Sequence, residues 1–403
     1  MTNVPVRHST MRERNLAVVL EQVARHQPIT RARLAEVTGF TKTTVSNLLA
    51  VLADRGLVRD GRLVHEGERG RPGVGVSIDG DGVAGVGLEI NVDYLAACVL
   101  DLARQVRYRH LVAAENRGRS PEAVIGALGT LAGQAIAAAE GQGLTVAGAV
   151  VALPGLLDRD RGMLRRAPNL GWSGVPAAEL LREGLPELPI GVDQDNEANL
   201  AALGELWFGA GRELGDFIHV SGEIGIGAGV IVGGQVFRGA HGFAGELGHL
   251  VADPGGPECS CGGRGCLEQV AGQEAILRAA GLTGPTGTAA ASPDGPLTRL
   301  TARLAAGEPG ATESVSAAGR ALGRSLASAV NLLDPDTIVL GGVFSALAEG
   351  IQPAVEQALT GGPGVLRDSV PQVVVSTLAG DAAVLGAAGL VIERVIADPA
   401  RLL

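Results

Sequence analysis

GHLVADPGGPECSCGGRGCLE, residues Gly248 to Glu268, gathers three of the chain's four cysteines, Cys259, Cys261 and Cys266, into eight residues and sets His249 ten residues ahead of them. The glycines around these thiols offer no apolar neighbours, so burial as ordinary packing does not account for the cluster. The N-terminal MTNVPVRHSTMRERN has no apolar segment of the secretory kind, and no uninterrupted apolar run reaches the roughly 18 residues of a membrane span. The chain is therefore expected in the cytoplasm with no membrane partner. There, a tight group of thiols holds a metal more readily than it forms disulfides. Cys98 lies alone in an apolar run and is expected to be buried.

Outward from this cluster, 403 residues leave room for two to four domains at roughly 100–200 residues each. The net charge of −10 is unevenly spread. Residues 1–76 hold 12 Lys and Arg against 7 Asp and Glu, net +5, which leaves −15 on the remainder. A basic head on an acidic body makes nucleic acid a partner for the head alone.

In the head, Leu16, Val19, Leu20 and Val23 recur at helical spacing until Pro28 stops the pattern. Thr30 can cap a short helix carrying Leu34 and Val37 that ends at Gly39. Thr41 can cap a third helix, whose apolar face is Val45, Leu48, Leu49 and Leu52. Two short helices joined by a glycine turn form a helix-turn-helix, the second presenting side chains to base edges in the major groove. Those side chains are Lys42, Thr43, Thr44, Ser46 and Asn47, and Lys42 is the chain's one lysine. GLVRDGRLVHE, turning at Asp60-Gly61, has the composition of a wing. Arg69 and Arg71, beside Gly70 and Pro72, suit entry into a narrow minor groove. A three-helix module for protein contacts is the alternative.

In the body, the segments starting at Ala84 and at Gly215 each predict a β-hairpin followed by a further strand, and the repetition suggests two related α/β lobes. Between them lie an alanine-rich helix around Pro121 to Glu140, the turn in VALPGLLD, and Asp195-Asn196-Glu197-Ala198-Asn199 opening a helix. The turn-rich stretch 282–296 is expected to be an exposed loop, and NLLDPDTIVLGGVF a strand ending in a glycine pair.

The order of RGRPG, PGLLD, APNLGW, DNEANLAALGE, HGFAGELGHL, CSCGGRGCLE and IVLGGVF resembles the ROK family of sugar kinases and sugar-responsive transcriptional regulators, and the resemblance covers nearly the whole chain. It implies an α/β protein: an N-terminal winged helix-turn-helix followed by a two-lobed actin-like (ribonuclease H-like) sugar kinase fold. The expected divisions are 1–76 for the DNA-binding domain with its linker, 77–190 for the first lobe joined by the C-terminal helix 383–403, and 191–382 for the second lobe with the metal site and dimer contacts. The resemblance also implies one zinc per chain on His249, Cys259, Cys261 and Cys266. One imidazole and three thiolates make a closed tetrahedral set, the structural rather than catalytic kind. Carried over by motif, the sugar contacts are Asn196, Glu197, Glu246, His249 and Glu268, with Asn169 a weaker match. If one nitrogen of His249 binds zinc, the other can face a sugar hydroxyl.

The departures from the family's kinases fall on the phosphate contacts. Where the kinases carry Asp-x-Gly-Gly-Thr this chain has Glu89-Ile90-Asn91-Val92-Asp93, and where they carry Gly-Thr before GIGAG it has Glu223-Ile224. Phosphate loses its close backbone approach and gains negative neighbours. The kinases' catalytic Asp is Glu197 here. The sequence therefore predicts a regulator, a repressor with no catalytic residues, whose partners are operator DNA, an unphosphorylated sugar effector and a second copy of itself, as a dimer or a pair of dimers. A bifunctional sugar kinase that also binds DNA is the runner-up, and a redox or zinc sensor the third reading.

Overall fold

The computed structural model describes residues 8–64, 73–284, 292–361 and 370–402. The head comprises α1 (His8–His26), β1 (Ile29–Thr30), α2 (Arg31–Thr38), α3 (Lys42–Asp54), β2 (Val58–Val64) and β3 (Gly73–Ile78). Its caps are local. Thr30 accepts from the Arg33 amide at 3.2 Å, Thr41 accepts from the Thr44 amide at 3.1 Å, and Gly39 ends α2 at φ 72°, the left-handed region that glycine enters without steric cost. Leu16, Val19, Leu20, Val23, Leu34, Val45, Leu48, Leu49 and Leu52 are all buried together, whereas Val37 stays exposed.

The wing differs from its sequence reading. Asp60 and Gly61 do not turn the chain: β2 runs through them as one strand with a bulge between Asp60 and Leu63, and its partner is β3. Long-range pairing explains the difference, because the Asp60 carboxylate is held by the Arg31 guanidinium at 2.8 and 3.0 Å instead of closing a local turn. The connection between β2 and β3, with Arg69 and Arg71, lies outside the described residues, as do residues 285–291 of the turn-rich stretch 282–296.

The first lobe follows as β4 (Val83–Ile90), β5 (Tyr94–Asp101), β6 (Val106–Ala113), α4 (Pro121–Glu140), β7 (Thr145–Leu153), β8 (Leu156–Asp158), β9 (Met163–Ala167), β10 (Trp172–Val175), α5 (Ala177–Glu183), β11 (Gly191–Asn196) and α6 (Glu197–Phe208). The second is β12 (Phe217–Gly222), β13 (Ile226–Val232), β14 (Gln235–Val236), α7 (Glu268–Ala271), α8 (Gln273–Ala279), α9 (Pro296–Ala305), α10 (Pro309–Leu333), β15 (Thr337–Gly342), α11 (Val343–Ala346), α12 (Ala348–Gly361) and β16 (Gln372–Val375), after which α13 (Ala382–Ala397) returns to pack on β4, β5 and β7 of the first lobe. The two five-stranded sheets have orders β11-β7-β4-β5-β6 and β14-β13-β12-β15-β16. Each is an antiparallel three-strand meander extended by two parallel strands, so the repeated hairpins head two copies of one topology.

The outer face of the first sheet packs on α4, and that of the second on α10 and α12. Helix α4 is the one helix among the described residues long and apolar enough to cross a membrane, but it lies on the first sheet with Val124, Ile125, Leu128, Leu131 and Ile136 buried. Cys98 is buried in β5. The layer between the lobes is α6 against α13, with small residues at the crossing. A Cβ on Gly386 would sit 1.8 Å from the Leu200 carbonyl oxygen, and one on Gly204 would sit 2.1 Å from that of Ala382. Helix α13 also contacts α1 of the head. Arg55 of the head donates to the Leu402 carbonyl at 2.9 Å.

Candidate ligand cleft and metal centre

Strand ends and helix starts from both lobes converge on one cavity of about 120 Å³. Asn196 caps α6: its Oδ1 accepts from the amides of Ala198 (2.9 Å) and Asn199 (3.2 Å), and its Nδ2 donates to the Gly155 carbonyl at 2.9 Å. That cap aims Glu197, the first residue of α6, into the space. Gly155 holds φ 101° where a Cβ would strike the Arg166 carbonyl oxygen at 2.3 Å, so the PGLLD turn lies tight against β9. Glu246 and His249 flank a short 3₁₀ turn at Leu247–His249, and Glu268 opens α7. All six candidate sugar contacts, Asn169, Asn196, Glu197, Glu246, His249 and Glu268, line this one cavity. Asn196 does so with its amide already committed to backbone.

Asn91 and Glu223 also line it. Both were noted in the sequence as departures from phosphate loops, and neither was expected to face the sugar space. Asn91 Nδ2 donates to Glu223 Oε2 at 2.8 Å and to the Tyr94 hydroxyl at 3.2 Å, and that hydroxyl donates to Glu89 Oε1 at 2.6 Å. Burial pushes the carboxyls of Glu89, Glu197 and Glu223 up to about 8, reinforced by their mutual repulsion. Val92 and Ile224 border both this cavity and a second cleft of about 470 Å³ that carries Asp93, Glu115, Arg117, Glu274 and Arg278. Two apolar side chains, one from each lobe, thus stand between the two spaces.

On the opposite wall, the donor atoms of His249, Cys259, Cys261 and Cys266 all lie within 4.8 Å of one another. The Cys261 and Cys266 sulfurs are 3.7 Å apart, and Cys259 Sγ is 3.7 Å from His249 Nδ1. A tetrahedral zinc with Zn–S near 2.3 Å separates its ligand sulfurs by about 3.8 Å, so the residues fit such an ion. The Gly263 amide donates to Cys261 Sγ at 3.3 Å, the kind of contact that steadies a metal thiolate. The imidazole presents Nδ1 to the thiols and Nε2 to Glu246, 3.8 Å from its Oε2. Glu268 has one oxygen 3.0 Å from Cys259 Sγ while the residue lines the cavity, so it touches both centres. Burial raises the Glu246 carboxyl, and His249 beside it opposes that rise.

On the head, Lys42, Thr43, Ser46 and Asn47 are exposed along α3. Thr44 is half-buried, its hydroxyl 2.9 Å from that of Thr41, so it serves the cap as well as the surface.

A model of the ROK family matches residues 85–394, and one of the MarR family matches residues 17–66. The xylose repressor of Bacillus subtilis (strain 168) is 33% identical over 66% of this chain and 67% of its own length. A solved ROK family transcriptional regulator, homologous to the MLC protein of E. coli, has TM-score 0.79 and 25% identity, covering 97% of this chain and 98% of that one. A ROK family glucokinase from Streptomyces griseus, solved with glucose and AMPPNP, has TM-score 0.63 and 27% identity over 76% of this chain and 98% of its own. The solved regulator shares its fold with nearly the whole chain and the glucokinase with about three quarters of it, and the chain belongs to the ROK family.

Proposed function

We infer that the protein is a sugar-responsive transcriptional repressor acting in the cytoplasm, that it binds an unphosphorylated monosaccharide in the interlobe cleft, and that it has no kinase activity. The observation that carries this reading is the cleft itself. Six polar side chains from both lobes surround a sugar-sized space, while Val92 and Ile224 stand between it and the neighbouring cleft, and Asp93 and Glu223 put carboxyls where phosphoryl transfer would need room for phosphate. The exposed face of α3 supplies the DNA contacts Lys42, Thr43, Thr44, Ser46 and Asn47, with Arg69 and Arg71 reaching a minor groove. Residues 1–76 are the operator-binding unit; the first lobe runs past the expected boundary at 190 to include β11, which pairs with β7, and is joined by the C-terminal helix 383–403, while the rest up to 382 is the second lobe, which makes the contacts of a homodimer or a pair of dimers.

The metal is one structural zinc per chain. It would hold the loop of Cys259 to Cys266 against the turn of His249, fixing Glu268 and the second imidazole nitrogen toward the sugar. The likeness to a xylose repressor makes D-xylose the first sugar to test. Glu197 favours the runner-up kinase reading in one respect, since a carboxyl raised to about 8 is a competent proton acceptor. A thermal-shift screen of D-xylose, D-glucose and their phosphates, each with and without magnesium ATP, separates the two. Stabilisation by a free sugar, indifferent to ATP, supports the sensor. Consumption of ATP on adding that sugar supports the kinase.

A further inference from the structure

Within the sugar-sensor reading, and resting on it, the cavity wall formed by Asn91 and Glu223 carries a role of its own. Glu223 receives one hydrogen bond, from Asn91 to Oε2, and none reaches Oε1 among the described residues. Behind it, Glu89 is 1% exposed, with Oε1 bonded to Tyr94 and Oε2 unpartnered. No Arg or Lys forms an ion pair with Glu89, Glu197 or Glu223 among the described residues. Three carboxyls crowded into one wall without a cation cannot all stay charged, because desolvation and mutual repulsion cost more than taking up a proton. A carboxyl that keeps its proton becomes a hydrogen-bond donor.

We propose that Glu223, positioned by Asn91, is a further sugar-binding residue of the cleft and meets its ligand as a neutral carboxylic acid donating to a sugar hydroxyl. The rest of the cavity lining is rich in acceptors, so a donor here lets the site read a hydroxyl's lone pairs as well as its proton. The charged and titratable groups around it point one way. Glu89 comes from β4, Asp93 and Tyr94 from the turn into β5, and Glu197 from α6. Glu246, His249 and Glu268 stand across the cavity, and Asp381 ahead of α13 is paired with Arg109. Arg117 and Arg278 lie in the second cleft, beyond Asp93. Burial first, then Glu197 and Asp93, raise Glu223 to about 8, with Asn91 opposing. The protons belong to the group of carboxyls as a whole.

An acid with a raised pKa is protonated at pH 7 and loses its proton above about 8, so affinity falls as pH rises. Calorimetric titration of the full chain with D-xylose and D-glucose at pH 7 and pH 9 tests this. The parent is expected to bind about tenfold more weakly at pH 9, the fall in protonated fraction across a pKa of about 8. Glu223→Gln keeps a donor that cannot titrate. It is expected to bind within about threefold of the parent at pH 7 and to lose less than about threefold at pH 9. Glu223→Ala is expected to lose about tenfold at pH 7 while melting and binding operator DNA like the parent. Equal parent affinity at both pH values, or an undiminished fall in Glu223→Gln, overturns the proposal and leaves the sensor reading standing. Failure of every sugar to bind the parent at either pH overturns the sensor reading itself, and this proposal with it.

Discussion

His249 joins the two centres of the second lobe, with Nδ1 3.7 Å from Cys259 Sγ and Nε2 3.8 Å from Glu246 Oε2. With a metal bound on Nδ1 the ring would not be free to rotate to suit a ligand, and the metal would set the direction of Nε2 toward the cavity. Cys261→Ser should therefore lose zinc by metal analysis and weaken sugar binding together, although Cys261 itself does not line the cavity. Retention of one zinc per chain by this variant would remove the site. The gathering of His249 with the three cysteines, and of the six polar residues around one cavity, was legible in the sequence because their motifs are short and ordered. Glu223 and Asn91 were legible only as losses of phosphate contacts. What they gain depends on the fold, because Asn91 reaches Glu223 across 132 positions of chain and Tyr94 supplies the link to Glu89.

Helix α3 shows how far local signals carry at the scale of an element. Thr41 at its start and the leucine spacing along it predict both its boundary and its buried face, and the structure places Lys42, Thr43, Ser46 and Asn47 on the opposite, exposed side. Lys42→Ala or Asn47→Ala should each cost about 1–3 kcal/mol at the specific operator if the side chain reads a base, with melting unchanged. Operator affinity equal to the parent's in both variants would move the DNA contact elsewhere. The strand after α3 was less legible. An Asp-Gly pair is a strong local turn signal, but Arg31 claims the Asp60 carboxylate from 29 residues away, and β3 holds both sides of the bulge in register. Tertiary pairing overrode the local preference.

Across the whole molecule, one continuous set of contacts runs from cleft to head. Glu197 begins α6, α6 crosses α13 at Gly204 and Gly386, and α13 touches α1. Arg104 lies 5.4 Å from the Trp207 ring centroid and pairs with Glu393 of α13, fastening the same layer. Lobe closure on a sugar that shifts α6 is thus positioned to shift the head, the differential contact that linkage requires. Gly386→Ala puts a methyl where the Leu200 carbonyl stands and should destabilise the chain by about 1–3 kcal/mol, read as a lowered thermal midpoint. An unchanged midpoint would mean that the crossing is looser than described. The duplicated topology was foreseeable from the two similar hairpins, whereas the α6–α13 crossing was not, since Gly204 and Gly386 lie 182 positions apart and have no side chain whose pattern would announce the contact.

A cleft that senses a free sugar and passes the signal to DNA must couple sugar binding to operator affinity. That coupling is read from operator affinity of the full chain, measured by fluorescence anisotropy across a D-xylose and D-glucose series without ATP, beside Glu246→Ala. One free sugar should change the parent's operator affinity by roughly 5–150-fold, the range of a 1–3 kcal/mol coupling. Glu246→Ala should bind operator as tightly as the parent and ignore the sugar, because an acceptor is lost from the cleft while α3 is untouched. Operator affinity indifferent to both sugars, together with their phosphorylation by the parent at roughly 1–100 per second once magnesium ATP is added, would contradict that coupling.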